Sequence, residues 1–95
     1  MKYCSINGKQ QTNIPVTDRG LAYGDGLFTT AKIIDGQVIL LDNHLNRLID
    51  GCERLGVATP KRDYLAEEMK LAAKGFILAC VKVIITTGSG GRGCA

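Results

Sequence analysis

The residues of this sequence best suited to chemistry are two arginines in unusual settings and a short hydroxyl-rich extended run. Gly88, Gly90 and Gly93 follow the apolar run VKVII at 81–85 and spell a G-x-G-x-x-G pattern that encloses Arg92. Glycines let backbone approach a ligand closely, and a guanidinium can grip a carboxylate or phosphate through two parallel hydrogen bonds. The loop therefore reads as an anion-binding edge. It fails as a dinucleotide fingerprint, which needs a helix after it and an acidic residue about twenty positions on, and as a P-loop, which needs Lys-Ser or Lys-Thr.

Arg47 projects about 130° from the centre of its helix's apolar stripe, taking roughly 100° per residue. Such an arginine is either solvated or waiting for an anion. His44 sits at the stripe's edge in the first turn, where a lone histidine is ordinarily structural. Phe28, Thr30 and Lys32 share one side of an extended run, and Leu27, Ala31 and Ile33 share the other. The first side is either solvent-facing or the wall of a cavity. No group of His, Cys, Asp or Glu has metal-ligand spacing.

The elements that must position these residues can be read from turn chemistry and periodicity. Asn7-Gly8 and Asp35-Gly36 are type I′ turn pairs, giving one hairpin over YCSI-NG-KQQT and a second joining strands 27–34 and 37–41. The stretch 15–26, with three glycines and two aspartates, reads as an ordered loop. Leu45, Leu48, Ile49, Cys52 and Leu55 recur on one face of a helix over 42–56, with Asp42 as N-cap and Gly56 as terminator. A second helix is expected from Thr59-Pro60, as cap and first-turn proline, to Gly75, with Tyr64, Leu65, Met69, Ala72 and Ala73 as its apolar stripe. FILACVKVIITT at 76–87 reads as a buried strand. The order predicts an α+β domain, a mainly antiparallel sheet with two helices packed on one face.

Composition narrows the function classes. The chain has 95 residues, enough for one domain with a modest core. Twelve basic and nine acidic residues give a net charge of +3, the basic residues are scattered, and few aromatics are present to stack on bases. Nucleic acid is therefore a poor partner for it. The start MKYCSING lacks the apolar core of a signal peptide, and no apolar run reaches the length of about 18 residues that a membrane helix needs. Cys4, Cys52, Cys80 and Cys94 form no C-x-x-C pair. These features are the expectation of a cytoplasmic protein with reduced thiols.

Four motifs occur together in a telling order: INGK at 6–9, TDRGLAYGDGLFTT at 17–30, HLNRL at 44–48 and GSGGRG at 88–93. In order and spacing the chain resembles the class IV (fold-type IV) pyridoxal-phosphate enzymes, and the resemblance covers essentially all of it. The wider family, which includes branched-chain and D-amino-acid aminotransferases, usually carries glutamate where this chain has Thr29. GDG-x-F-T-T together with GSGGRG is the pattern of the aminodeoxychorismate lyases within it.

The resemblance implies that residues 1–95 are the small N-terminal domain of a longer two-domain, homodimeric enzyme. The lysine that holds the cofactor as a Schiff base would lie in the second domain. None of this chain's lysines matches that position, so the chain alone is expected to be inactive. Arg47 of HLNRL would bind the cofactor phosphate. Phe28 and Thr30 would face the substrate, Thr30 offering its hydroxyl, and Arg92 would lie near the substrate's carboxylates. His44 would support its neighbours. The implied reaction converts 4-amino-4-deoxychorismate to p-aminobenzoate and pyruvate, a step towards folate. Two other readings stand beside it: a class IV aminotransferase, and a self-contained binding or assembly domain.

Overall fold

The computed structural model describes residues 3–14, 16–18, 24 and 26–88. Among them the order is β1 (Ser5–Ile6), β2 (Lys9–Gln10), β3 (Gly26–Ile34), β4 (Gln37–Val38), α1 (Leu41–Leu55), α2 (Arg62–Ala73) and β5 (Leu78–Thr86). The α+β expectation holds: β4, β3 and β5 form an antiparallel sheet in that order, and β1 and β2 a separate hairpin. β5 pairs with β3 along its whole length, from Gly26↔Thr86 to Ile34↔Leu78.

Both hairpins turn where the paired Asn-Gly and Asp-Gly residues place them. Asn7 and Gly8 have φ of 54° and 82°, and Asp35 and Gly36 have 51° and 74°, the left-handed values that a type I′ turn requires. The small hairpin rests on α2, where Ser5 Oγ donates to Glu68 Oε1 at 3.4 Å and the Tyr64 hydroxyl lies beside Gly8.

The strand expected over 37–41 is shorter than its apolar run suggested. Only Gln37 and Val38 pair with β3, and the Ile39 amide bonds to the Lys32 carbonyl at 2.8 Å. Leu40 then turns left-handed with φ 57°, and α1 starts at Leu41. Asp42 is consequently not the N-cap; it lies in the first turn, where its charge complements the helix dipole. The C-terminal expectation is met. Gly56, at φ 71°, caps α1, the Val57 amide reaches back to the Cys52 carbonyl at 2.9 Å, and Val57 is buried. That is a Schellman closure with its apolar contact.

The start of α2 also differs. Thr59 and Pro60 stay outside the helix, and Lys61 is the N-cap, extended and without a side-chain bond to the first turn. Docking decides this boundary: Leu65, Met69 and Ala73 must reach the core, while Arg62 donates to Asn46 Oδ1 at 2.7 Å and Asp42 Oδ1 at 3.3 Å on α1. Tyr64, expected on the stripe, is exposed.

The core lies between the sheet and the helices. Ala31 and Ile85 face Leu45, Leu48 and Cys52 of α1 and Leu65 and Met69 of α2. Burial, and secondarily the Glu53 charge, push the Cys52 thiol above its ordinary pKa, so it behaves as a small apolar group. Cys4, Cys52 and Cys80 are free thiols. Among the described residues no helix is long and apolar enough to cross a membrane.

Candidate functional site

β3 has two faces with different chemistry. Leu27, Thr29, Ala31 and Ile33 alternate toward the helices, while Phe28, Thr30, Lys32 and Ile34 point to the open side. Phe28 and Thr30 therefore share an exposed surface, as the alternation predicted. Cross-strand register sets Ile84 opposite Phe28 and Lys82 opposite Thr30. Phe28 and Ile84 are 59% and 62% exposed, which leaves this face of the sheet apolar and uncovered.

At one end the open face deepens into a cavity of about 320 Å³, lined by Ile14, Asp18, Phe28, Lys82, Ile84 and Thr86 among others. The loop expectation for 15–26 is met in its described part, because buried Asp18 accepts a 3.0 Å bond from Thr86 Oγ1. Thr86 Oγ1 in turn accepts the Gly88 amide at 3.0 Å. One threonine thus ties Asp18 of the 15–26 loop to the entry of the glycine loop. Gly26 is required here: a Cβ on it would come within 2.6 Å of the Ile85 carbonyl, so any side chain would force β3 and β5 apart at the cavity.

On the closed face sits a pair that the sequence reading did not join. Thr29 is 1% exposed, and its Oγ1 lies 2.7 Å from His44 Nδ1. No other acceptor for that hydroxyl occurs among the described residues. The arrangement that leaves no buried donor orphaned has Thr29 donating to Nδ1, which puts the ring proton on Nε2. The available signal was parity, since Thr29 lies in step with Leu27 and Ala31.

His44, Arg47 and Gly51 are spaced i, i+3 and i+7, so they share one side of α1. His44 bonds to Thr29, and a Cβ on Gly51 would meet the Leu27 side chain within 2.5 Å. Arg47, between them, is held beside β3 at residues 27–29. It is exposed, and among the described residues the ion pair found is Arg62–Asp42, not one to Arg47. The fold thus brings Phe28 and Thr30 together on one face of β3 and leaves Arg47 exposed on α1, the helix that packs on the other face. Arg92, with Gly90 and Gly93, lies outside the described residues.

Next to Gly88 stands Thr87, whose Oγ1 is buried without a partner among the described residues. An orphaned hydroxyl costs about 1–3 kcal/mol. It lines a second hollow with Glu53, Gly56 and Ala58 at the end of α1.

Comparison with known proteins agrees with this arrangement. Aminodeoxychorismate lyase of Vibrio harveyi is 33% identical over 88 residues, covering 93% of this chain and 32% of that protein. The crystal structure of 4-amino-4-deoxychorismate lyase from Pseudomonas aeruginosa matches with TM-score 0.83 and 39% identity, over 94% of this chain and 33% of that one. A fold IV-transaminase of Curtobacterium pusillum matches with TM-score 0.79 and 28% identity, over 87% and 31% of the two chains. The chain thus spans about a third of the length of each. The family description Amino-transferase class IV matches residues 26–95, which takes in β3, both helices and β5, and the chain belongs to that family.

Proposed function

We propose that this chain is the N-terminal domain of a pyridoxal-phosphate-dependent 4-amino-4-deoxychorismate lyase, a homodimeric cytoplasmic enzyme releasing p-aminobenzoate and pyruvate. The observation that carries the reading is an exposed Arg47 with no ion pair among the described residues, on the helix packed against one face of β3, together with the Phe28–Thr30 wall on the other. The similarity to two lyases at 33% and 39% identity supports the choice of reaction.

The residues present fit the cofactor's phosphate. A guanidinium matches phosphate oxygens bidentately, and Arg47 is exposed and steadied by flanking contacts of α1 with β3. His44, its tautomer set by Thr29, stiffens that flank. When bound, the cofactor supplies an electron sink for carbanionic chemistry. Phe28 offers an apolar surface to the substrate and keeps water from it. Thr30 holds a hydroxyl on the same wall, placed to hydrogen-bond a substrate oxygen or carry a proton. The lysine that anchors the cofactor belongs, on this reading, to a second domain outside these 95 residues, and the chain alone has no turnover. Arg92 would add a carboxylate contact from the glycine loop.

Thr30→Val tests the hydroxyl. The residue is exposed and valine suits a strand, so folding should be unaffected. Loss of one hydrogen bond made in the transition state should lower kcat roughly tenfold, with cofactor affinity unchanged. Full activity would make the hydroxyl a bystander. The second reading, a class IV aminotransferase of D-amino or branched-chain amino acids, is favoured by the likeness to the Curtobacterium transaminase. Thr29 weighs against it, because it puts a hydroxyl beside the His44 imidazole where the wider family usually has a carboxylate.

A further inference from the structure

We propose that Lys82 is a carboxylate-binding residue of the open-face cavity, held in place by the Phe28 ring, and that it selects small cyclic acids. The inference rests on the proposed function for the identity of the cavity as the substrate site, and it adds a residue that the sequence reading did not single out.

Lys82 Nζ lies 4.7 Å from the centroid of the Phe28 ring. A lysine on an open strand normally extends into water, whereas this one lays its stem along the sheet and its ammonium over an aromatic face. The attraction between cation and ring quadrupole biases the side chain toward one position without neutralising its charge. Among the described residues the carboxylate in ion-pair contact belongs to Asp42, on Arg62, and none there is paired with Lys82. Asp18, the acid that lines the same cavity, is engaged by Thr86 at 3.0 Å.

Register supplies the rest of the site. Lys82 pairs directly with Thr30 across β3 and β5, which puts both side chains on the same open face as neighbours. Two such donors suit the two oxygens of one carboxylate. Around them the lining is apolar, with Ile14, Phe28 and Ile84. A ligand that satisfies this surface has a flat apolar body against Phe28 and Ile84 and an acid group at Lys82. A ring carboxylic acid has that form.

The test measures benzoate and benzamide binding by titration calorimetry to the cofactor-loaded two-domain enzyme. The two probes share the ring and the carbonyl, and benzamide carries a neutral NH2 donor where benzoate carries an anionic acceptor oxygen. The wild type should prefer benzoate, and Lys82→Met should lower benzoate affinity about tenfold, the equivalent of one charge-assisted hydrogen bond, while benzamide affinity holds. Phe28→Leu, which keeps the ammonium but removes its platform, should reduce the benzoate-to-benzamide ratio by a smaller factor. An unchanged ratio in Lys82→Met, or no preference in the wild type, would overturn the proposal. An enzyme that lacks lyase turnover but shows the Lys82-dependent preference would reject the lyase reading and uphold Lys82 as the acid-binding group.

Discussion

Replacing Arg47 by alanine should weaken pyridoxal phosphate binding to the two-domain enzyme by about a hundredfold, the loss of two charge-assisted hydrogen bonds. The same change should move the thermal midpoint by no more than a few degrees, since surface substitutions rarely cost more than about 0.5 kcal/mol. The separation follows from where the residue stands. Its side chain is exposed and takes no part in the apolar core, while its neighbours on the same side of α1, His44 and Gly51, touch β3. Arg47→Lys should fall between the two, because an ammonium keeps the charge and loses the planar fork. Equilibrium titration with the cofactor reads all three proteins. Unchanged affinity in Arg47→Ala would remove the phosphate role.

The adjacent residue gives the opposite pattern. Leu48 is 0% exposed and packs in the cluster with Ala31, Leu45, Cys52 and Met69. Leu48→Ala should cost about 3–5 kcal/mol from lost burial and the cavity left behind. Small domains have total stabilities near the low end of about 5–15 kcal/mol, so much of the population would unfold at moderate urea. The effect falls on α1 as a whole, and cofactor binding would be lost only with the fold. A cost below about 1 kcal/mol in urea denaturation would mean that α1 does not pack on β3 as described.

These two neighbours show what the sequence could and could not convey. Period-two alternation in LFTTAKII and the recurrence of Leu45, Leu48 and Cys52 record which face is buried, so β3 and α1 were legible. By contrast β5, expected as a buried strand, leaves Leu78, Lys82 and Ile84 open, because the helices cover one side of the sheet only. The ends of elements were not. Asp42 and Thr59 are good caps, but capping is worth about 1 kcal/mol, and docking outweighs it. The chain leaves the sheet through a left-handed Leu40, and Arg62 ties α2 to α1 at its first residue.

The site was legible only in part. Parity put Phe28 and Thr30 on one exposed face, whereas Arg47's angle off the stripe showed only that it is exposed, and its role came from the resemblance of HLNRL. Thr29 with His44 depends on the register in which α1 lies on β3, which no local pattern encodes. Lys82 was hidden because a lysine on a strand looks solvated until its diagonal neighbour across the sheet is known to be the aromatic Phe28. Arg92 was singled out on glycine chemistry alone, and it lies outside the described residues.

The most direct test of the central claim is the product analysis of the two-domain enzyme incubated with 4-amino-4-deoxychorismate and no amino acceptor. The account predicts p-aminobenzoate and pyruvate released in equal amounts. No pyruvate from this substrate, with amino transfer from D-amino or branched-chain amino acids to a 2-oxo acid instead, would contradict it.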